Sequence, residues 1–234
     1  MKKARYIVCA VMAAAMLLAA AGCQGGEAPA EPVNAAEPTA ESAEATAEQG
    51  EYAAKAEAAY KDAIEKLMTD KVFPDGEETG FEEDGSFGDM EANKYAIADV
   101  DGDGKEELII SFTTAPVAGQ AERVYGYDEA TGALALELAE FPSVTYYTNG
   151  IAEVAWSHNQ GWAGDRLWPY SLFFYNADKD EYEMRYSVDA WDKAISDKDA
   201  DGSPYPEDVD KKGDGYVVIL TEGDASRYIS AEEY

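Results

Sequence analysis

The sequence predicts an α+β fold in which one N-terminal helix packs on a mostly antiparallel β-meander. Three observations carry this. Apolar residues recur at three- and four-residue spacing just after position 51, as one face of a helix requires. Beyond them come short runs rich in Val, Ile, Tyr and Phe, each bounded by Asp, Asn or Gly. Most of these runs are joined by connections too short for a crossover, so neighbours pair antiparallel.

The helix is marked by Ala56, Ala59, Tyr60, Ala63, Ile64, Leu67 and Met68, with Glu and Lys on the opposite face, and Pro74-Asp75-Gly76 closes the region. Strands are expected at 94–98, 107–113, 123–127, 133–139, 144–148, 152–156, 171–175, 181–186 and 216–221. The apolar spacing of 188–195 predicts a second, short helix. Two stretches, starting at Val124 and Leu172, share the order aromatic strand, acidic turn, returning strand. Two copies are too few for a propeller or solenoid, so they are read as two similar hairpins.

The segment ahead of this domain has a different composition. Lys2, Lys3 and Arg5 precede an apolar run from Ile7 to Ala21, then Gly22-Cys23. A charged start, an apolar core and small residues before a cleavage point are the parts of an export signal, here 1–22. The run is shorter than the roughly twenty residues a spanning helix needs. Residues 23–50 carry six glutamates, no basic residue, no aromatic and Val33 as the single branched aliphatic. With Pro29, Pro32 and Pro38 interrupting them, they are expected to form a disordered tether. Residues 51–234 are long enough for one domain with a substantial core.

Ala20-Ala21-Gly22-Cys23 resembles the lipobox of bacterial lipoproteins, with Ala20 where Leu is usual. The resemblance implies a diacylglyceryl group on Cys23, cleavage before it, and an extracytoplasmic domain anchored to the membrane by lipid chains. Cys9 falls in the expected signal, so the mature domain has neither disulfides nor thiol chemistry.

The formal net charge is -30, and without the three basic signal residues 48 acidic groups face 15 basic ones, giving -33. Such a field repels nucleic acid and anionic lipid, attracts cations and favours a soluble monomer.

The clearest chemical signal is Asp99-Val-Asp101-Gly-Asp103-Gly104-Lys105-Glu106-Glu107. Acids at alternate positions of a tight loop converge on a point; the Lys105 carbonyl can join them and Glu107 closes the shell. All-oxygen ligation of this kind suits Ca²⁺ better than Mg²⁺, which demands stricter octahedral geometry. The twelfth position is Ile110 rather than Glu, and a strand follows, so this is no EF-hand. With acids at positions one, three, five and nine between two strands, the loop is similar to the calcium loops of FG-GAP and VCBS repeats. A helix followed by one such loop also resembles uncharacterised lipoproteins of Gram-positive gut bacteria, a likeness that implies anchoring and calcium and supplies no activity. The alternative is a metal-free Asp-Gly turn, in which the carboxylates would repel one another.

Asp197, Asp199, Asp201 and Asp208, with Gly202 at the sixth position, form a weaker second candidate for metal, stiffened by Pro204 and Pro206; a solvated acidic loop is the competing reading. The segment Asp210 to Gly215 reads as a turn. Trp156, His158, Trp162, Asp165 and Trp168 make an aromatic patch interleaved with polar groups, which suits a glycan or protein ligand. The same rings would equally fill the core of a sheet.

For catalysis the chain offers one histidine, no phosphate-binding glycine loop, and too many carboxylates to single out a hydrolytic pair. The expectation is a calcium-stabilised binding or interaction domain rather than an enzyme, with a glycan-active hydrolase as the rival.

Overall fold

The computed structural model describes residues 40–114, 121–155, 166–198, 202–205, 210, 213 and 215–234, with side chains from Glu48 onward. The α+β expectation holds. One long helix, α1 (Ala40–Asp70), precedes ten strands in two sheets. The first sheet runs in order β1 (Lys94–Ala98), β2 (Glu107–Phe112), β3 (Ala121–Asp128), β4 (Ala133–Glu140). The second contains β5 (Val144–Tyr147), β6 (Ile151–Ala155), β7 (Tyr170–Asn176), β8 (Glu181–Asp192), β9 (Tyr216–Glu222) and β10 (Ala225–Ile229), again in chain order. Every pairing is antiparallel.

Period-two alternation sorts the side chains into layers. Leu108, Ile110, Phe112 and Tyr125 turn one face of the first sheet to Ala56, Tyr60, Ala63 and Leu67 of α1, with Phe73 and Met90 closing the cluster. Val124 and Leu138 turn the other face, joined by Ile109, to Tyr146, Ala152 and Tyr182 of the second sheet. The first sheet is thus the middle layer, covered on both faces. The outer face of the second sheet packs Val188, Ala190 and Val218 on Leu167 and Ile229.

Three expectations are corrected. The helix starts at Ala40 instead of after Gly50, so the expected tether of 23–50 overlaps it. Ala and Glu are strong helix formers, the last proline before the helix is Pro38, and one interior glycine costs only about 1 kcal/mol. Met68 is exposed and off the packed face. The second helix of 188–195 does not form: β8 runs on to Asp192, pairing Tyr186 to Asp192 with Glu222 to Tyr216. Val188 and Ala190 face one cluster and Trp191 the other, so burial on both faces imitates helical spacing.

The two similar stretches are hairpins, β3–β4 in one sheet and β7–β8 in the other. Each carries a bulge.

Candidate metal centre

The loop of residues 99–106 joins β1 to β2, whose first pair is Ala98 with Glu107. Its conformation is set by its own carboxylates: Gly102 N–H donates to Asp99 Oδ1 at 2.7 Å, Asp103 N–H to Asp101 Oδ1 at 2.8 Å, and Lys105 N–H to Asp103 Oδ1 at 2.7 Å. Across its base Val100 N–H donates to Glu107 Oε2 at 2.9 Å. Both outer layers hold the loop by its backbone. The Tyr60 hydroxyl of α1 donates to the Glu106 carbonyl at 2.7 Å, and the Tyr182 hydroxyl of β8 to the Val100 carbonyl at 2.9 Å.

Carboxylate oxygens of Asp99, Asp101 and Glu107 lie within 4.8 Å of one another, with Asp101 and Glu107 buried. Two unit charges about 4 Å apart interact by roughly 4 kcal/mol at an effective dielectric near 20, so three clustered carboxylates strain a bare loop. Burial, then the charges of Asp101, Asp103 and Asp99, push Glu107 up to about 8 against the Val100 hydrogen bond. Asp101 is raised too, chiefly by burial. Asp99, Asp101 and Glu107, for which no ion pair is found among the described residues, could hold a metal ion.

Asp103 stands apart from this group. Its second oxygen pairs with Lys105 Nζ at 3.2 Å. Of the four predicted carboxylates, then, three converge.

Two further acids were missed in the sequence. Oxygens of Asp101, Glu137 and Asp180 form a second group within 4.8 Å. Glu137 is the extra residue of the β3–β4 bulge, since Val124 pairs with Leu138 and Tyr125 with Leu136. A bulge re-aims a side chain. Here it leaves Glu137 5% exposed, with Oε2 unpartnered. Its only sequence signal is a lone acid between leucines. Burial, then Glu107, Asp180, Asp101 and Asp103, push it up to about 9. Asp180 ends the β7–β8 turn at φ 57°, a left-handed conformation that Asp tolerates, and accepts from the Tyr175 hydroxyl at 2.6 Å.

Two glycines leave room for the cluster. A Cβ on Gly126 would stand 2.2 Å from Glu137 Oε1, and one on Gly150, at φ 70°, 2.8 Å from the Asp101 carbonyl oxygen.

Of the weaker acidic loop, Asp197 is exposed, while Asp199, Asp201 and Asp208 lie outside the described residues. Trp156, His158, Trp162 and Asp165 lie outside them as well. Trp168 is 47% exposed, its backbone N–H donating to the Tyr234 hydroxyl at 2.7 Å. Cys23 also lies outside. No helix among the described residues is long and apolar enough to cross a membrane.

No protein-family model, curated protein or solved structure matches the chain.

Proposed function

We propose that this protein is an extracytoplasmic lipoprotein, anchored through Cys23, whose single acidic domain is a calcium-stabilised binding module rather than an enzyme. The observation that carries the calcium reading is the convergence of Asp99, Asp101 and Glu107 in a loop wedged between α1 and the second sheet. A cation there neutralises clustered like charges and fixes a loop that hydroxyls of both outer layers hold by its backbone. The export-type N-terminus and the lipobox resemblance of residues 20–23 support the anchoring. A second reading, glycan binding beside the second sheet, draws on the half-exposed Trp168.

The test is a thermal melt of the chain from Gln24 onward in chelator, in calcium and in magnesium at high salt, which screens diffuse attraction but not coordination. Extracellular sites of this kind have dissociation constants of about 10⁻⁴ to 10⁻³ M, and a hundredfold excess adds roughly 2.7 kcal/mol. Domains of this size shift by about 2 to 4 °C per kcal/mol. A calcium-selective rise of a few degrees, absent in Asp101→Ala, is expected; equal rises with both ions that survive in the variant would reject the site. Replacing Cys23 by Ala should release the protein from the membrane fraction, and retention would reject the anchor. For the glycan reading, Trp168→Ala should abolish retention on a polysaccharide array without lowering the melting temperature; unchanged retention would reject it.

A further inference from the structure

The Asp99 loop is not the whole of the metal-binding geometry. We infer that the domain holds a second hard divalent cation, between Asp101, Glu137 and Asp180, with Asp101 shared between the two positions. The inference extends the calcium reading of the loop and rests on it for the role of Asp101.

The argument begins with distance. Oxygens bound to one calcium at about 2.4 Å stand at most about 4.8 Å apart. Asp99, Asp101 and Glu107 meet that limit together, as do Asp101, Glu137 and Asp180; the two groups have only Asp101 in common. The five acids therefore converge on two points rather than one, and a carboxylate with two oxygens can serve both.

Independent of the clustering is the state of Glu137. It is an acidic side chain turned into the interior by a bulge, 5% exposed, with one carboxylate oxygen lacking any partner among the described residues. Buried polar atoms are nearly always satisfied, and an unsatisfied oxygen on a buried acid grouped with two others points to a cation. The surroundings are built to keep it there. Gly126 on the neighbouring strand leaves bare the volume that Glu137 Oε1 occupies, and the Tyr175 hydroxyl holds Asp180 in place. Second-layer hydrogen bonds of this sort orient ligands at metal sites. Lys179, beside Asp180, pairs with Glu181 and Glu183 instead of the cluster. Five carboxylates also balance two dications more nearly than one.

This second position has a different structural role from the first. Glu137 belongs to the middle sheet and Asp180 to the β7–β8 turn of the outer one, so a cation between them bridges the two sheets directly.

The experiment is calcium titration calorimetry on the chain from Gln24 onward in high salt, with native mass spectrometry counting bound ions. The wild type should take two calcium ions. Glu137→Gln and Asp180→Asn should each take one, Asp99→Asn should keep one, and Asp101→Asn should lose both. Asp180 is exposed, so its substitution leaves the core intact should Glu137→Gln fail to fold. One ion in the wild type, lost in Asp99→Asn and kept in Asp180→Asn, would overturn the second position while leaving the loop site standing. Two ions retained in both Glu137→Gln and Asp180→Asn would overturn the ligand assignment, and no ion in any variant would overturn both readings.

Discussion

Replacing Tyr182 by Phe removes one oxygen and isolates the latch between the outer sheet and the loop. Tyr182 is 7% exposed, and its hydroxyl meets the carbonyl of Val100, itself 5% exposed, at 2.9 Å. The ring would stay packed between Tyr146 and Tyr175, so no cavity opens. What is lost is one hydrogen bond, leaving a buried carbonyl without its donor at a cost of about 1 to 3 kcal/mol. For a domain of this size that lowers the melting temperature by roughly 2 to 12 °C. Val100 lies between Asp99 and Asp101, so releasing it also loosens the ligands. An ordering cost of about 1.4 kcal/mol, taken up on binding, weakens calcium by about tenfold. The assay is urea unfolding by circular dichroism in chelator and in calcium, with Tyr186→Phe as control, because that hydroxyl bonds Glu222 at 3.1 Å on the exposed side of the same strand. The control should stay within about 0.5 kcal/mol of wild type. If Tyr182→Phe matched it, the latch would carry no stability and the account of a loop clamped from both sides would fail.

Two other predictions follow from charges in the first sheet. Glu122, partly buried and opposite Glu140, is pushed up to about 7 by burial. A folded-state value above the unfolded one means stability present at low pH and lost as pH rises from about 4.5 to about 7. Glu122→Gln should flatten that window and add on the order of 1 to 3 kcal/mol at pH 8 in chelator; an unchanged slope in urea melts would refute it. Arg123 is 8% exposed, pairs with Asp75 and with Glu77 (2.6 Å), and stacks 4.2 Å from the Phe73 ring centre. Arg123→Ala should cost about 1 to 3 kcal/mol by unpairing Asp75 and uncovering Phe73, whereas Glu77→Ala, at the exposed end, should cost under about 1. Equal costs in denaturant titrations would refute the difference in burial as the cause.

The sequence was informative where local chemistry and structure coincide. The Asp99 loop was legible because Asp-Gly spacing fixes both the turn and the direction of its carboxylates. The strands of the middle sheet were legible from runs of branched and aromatic residues bounded by turn formers, even though Ile109 and Leu108 are covered on opposite faces. Long-range effects hid the rest. Glu137 enters the site only through a bulge, and nothing in a Leu-Glu-Leu string announces the skipped residue. Asp180 looks like any acidic turn until the second sheet docks beside Asp101. The end of β8 was mistaken for a helix because its two faces pack on different clusters. β10 escaped notice because Ala225 to Tyr228 are exposed and carry no apolar alternation. The first turns of α1 have propensity without amphipathic spacing, so Gly50 seemed a better boundary than it is.

The strand order has a consequence for how the molecule assembles in time. In both sheets each strand bonds the one before it in the chain, so either meander can grow by short-range hairpin closure, the kind of topology that folds fast. Asp180 reaches Asp101 only once two such meanders, separated by the chain from Phe141 to Ser143, have met. A cation between them can therefore be held by both groups only after that encounter. A cation held there should slow the escape from the native state while leaving the refolding rate nearly unchanged, so that its chief gift is persistence.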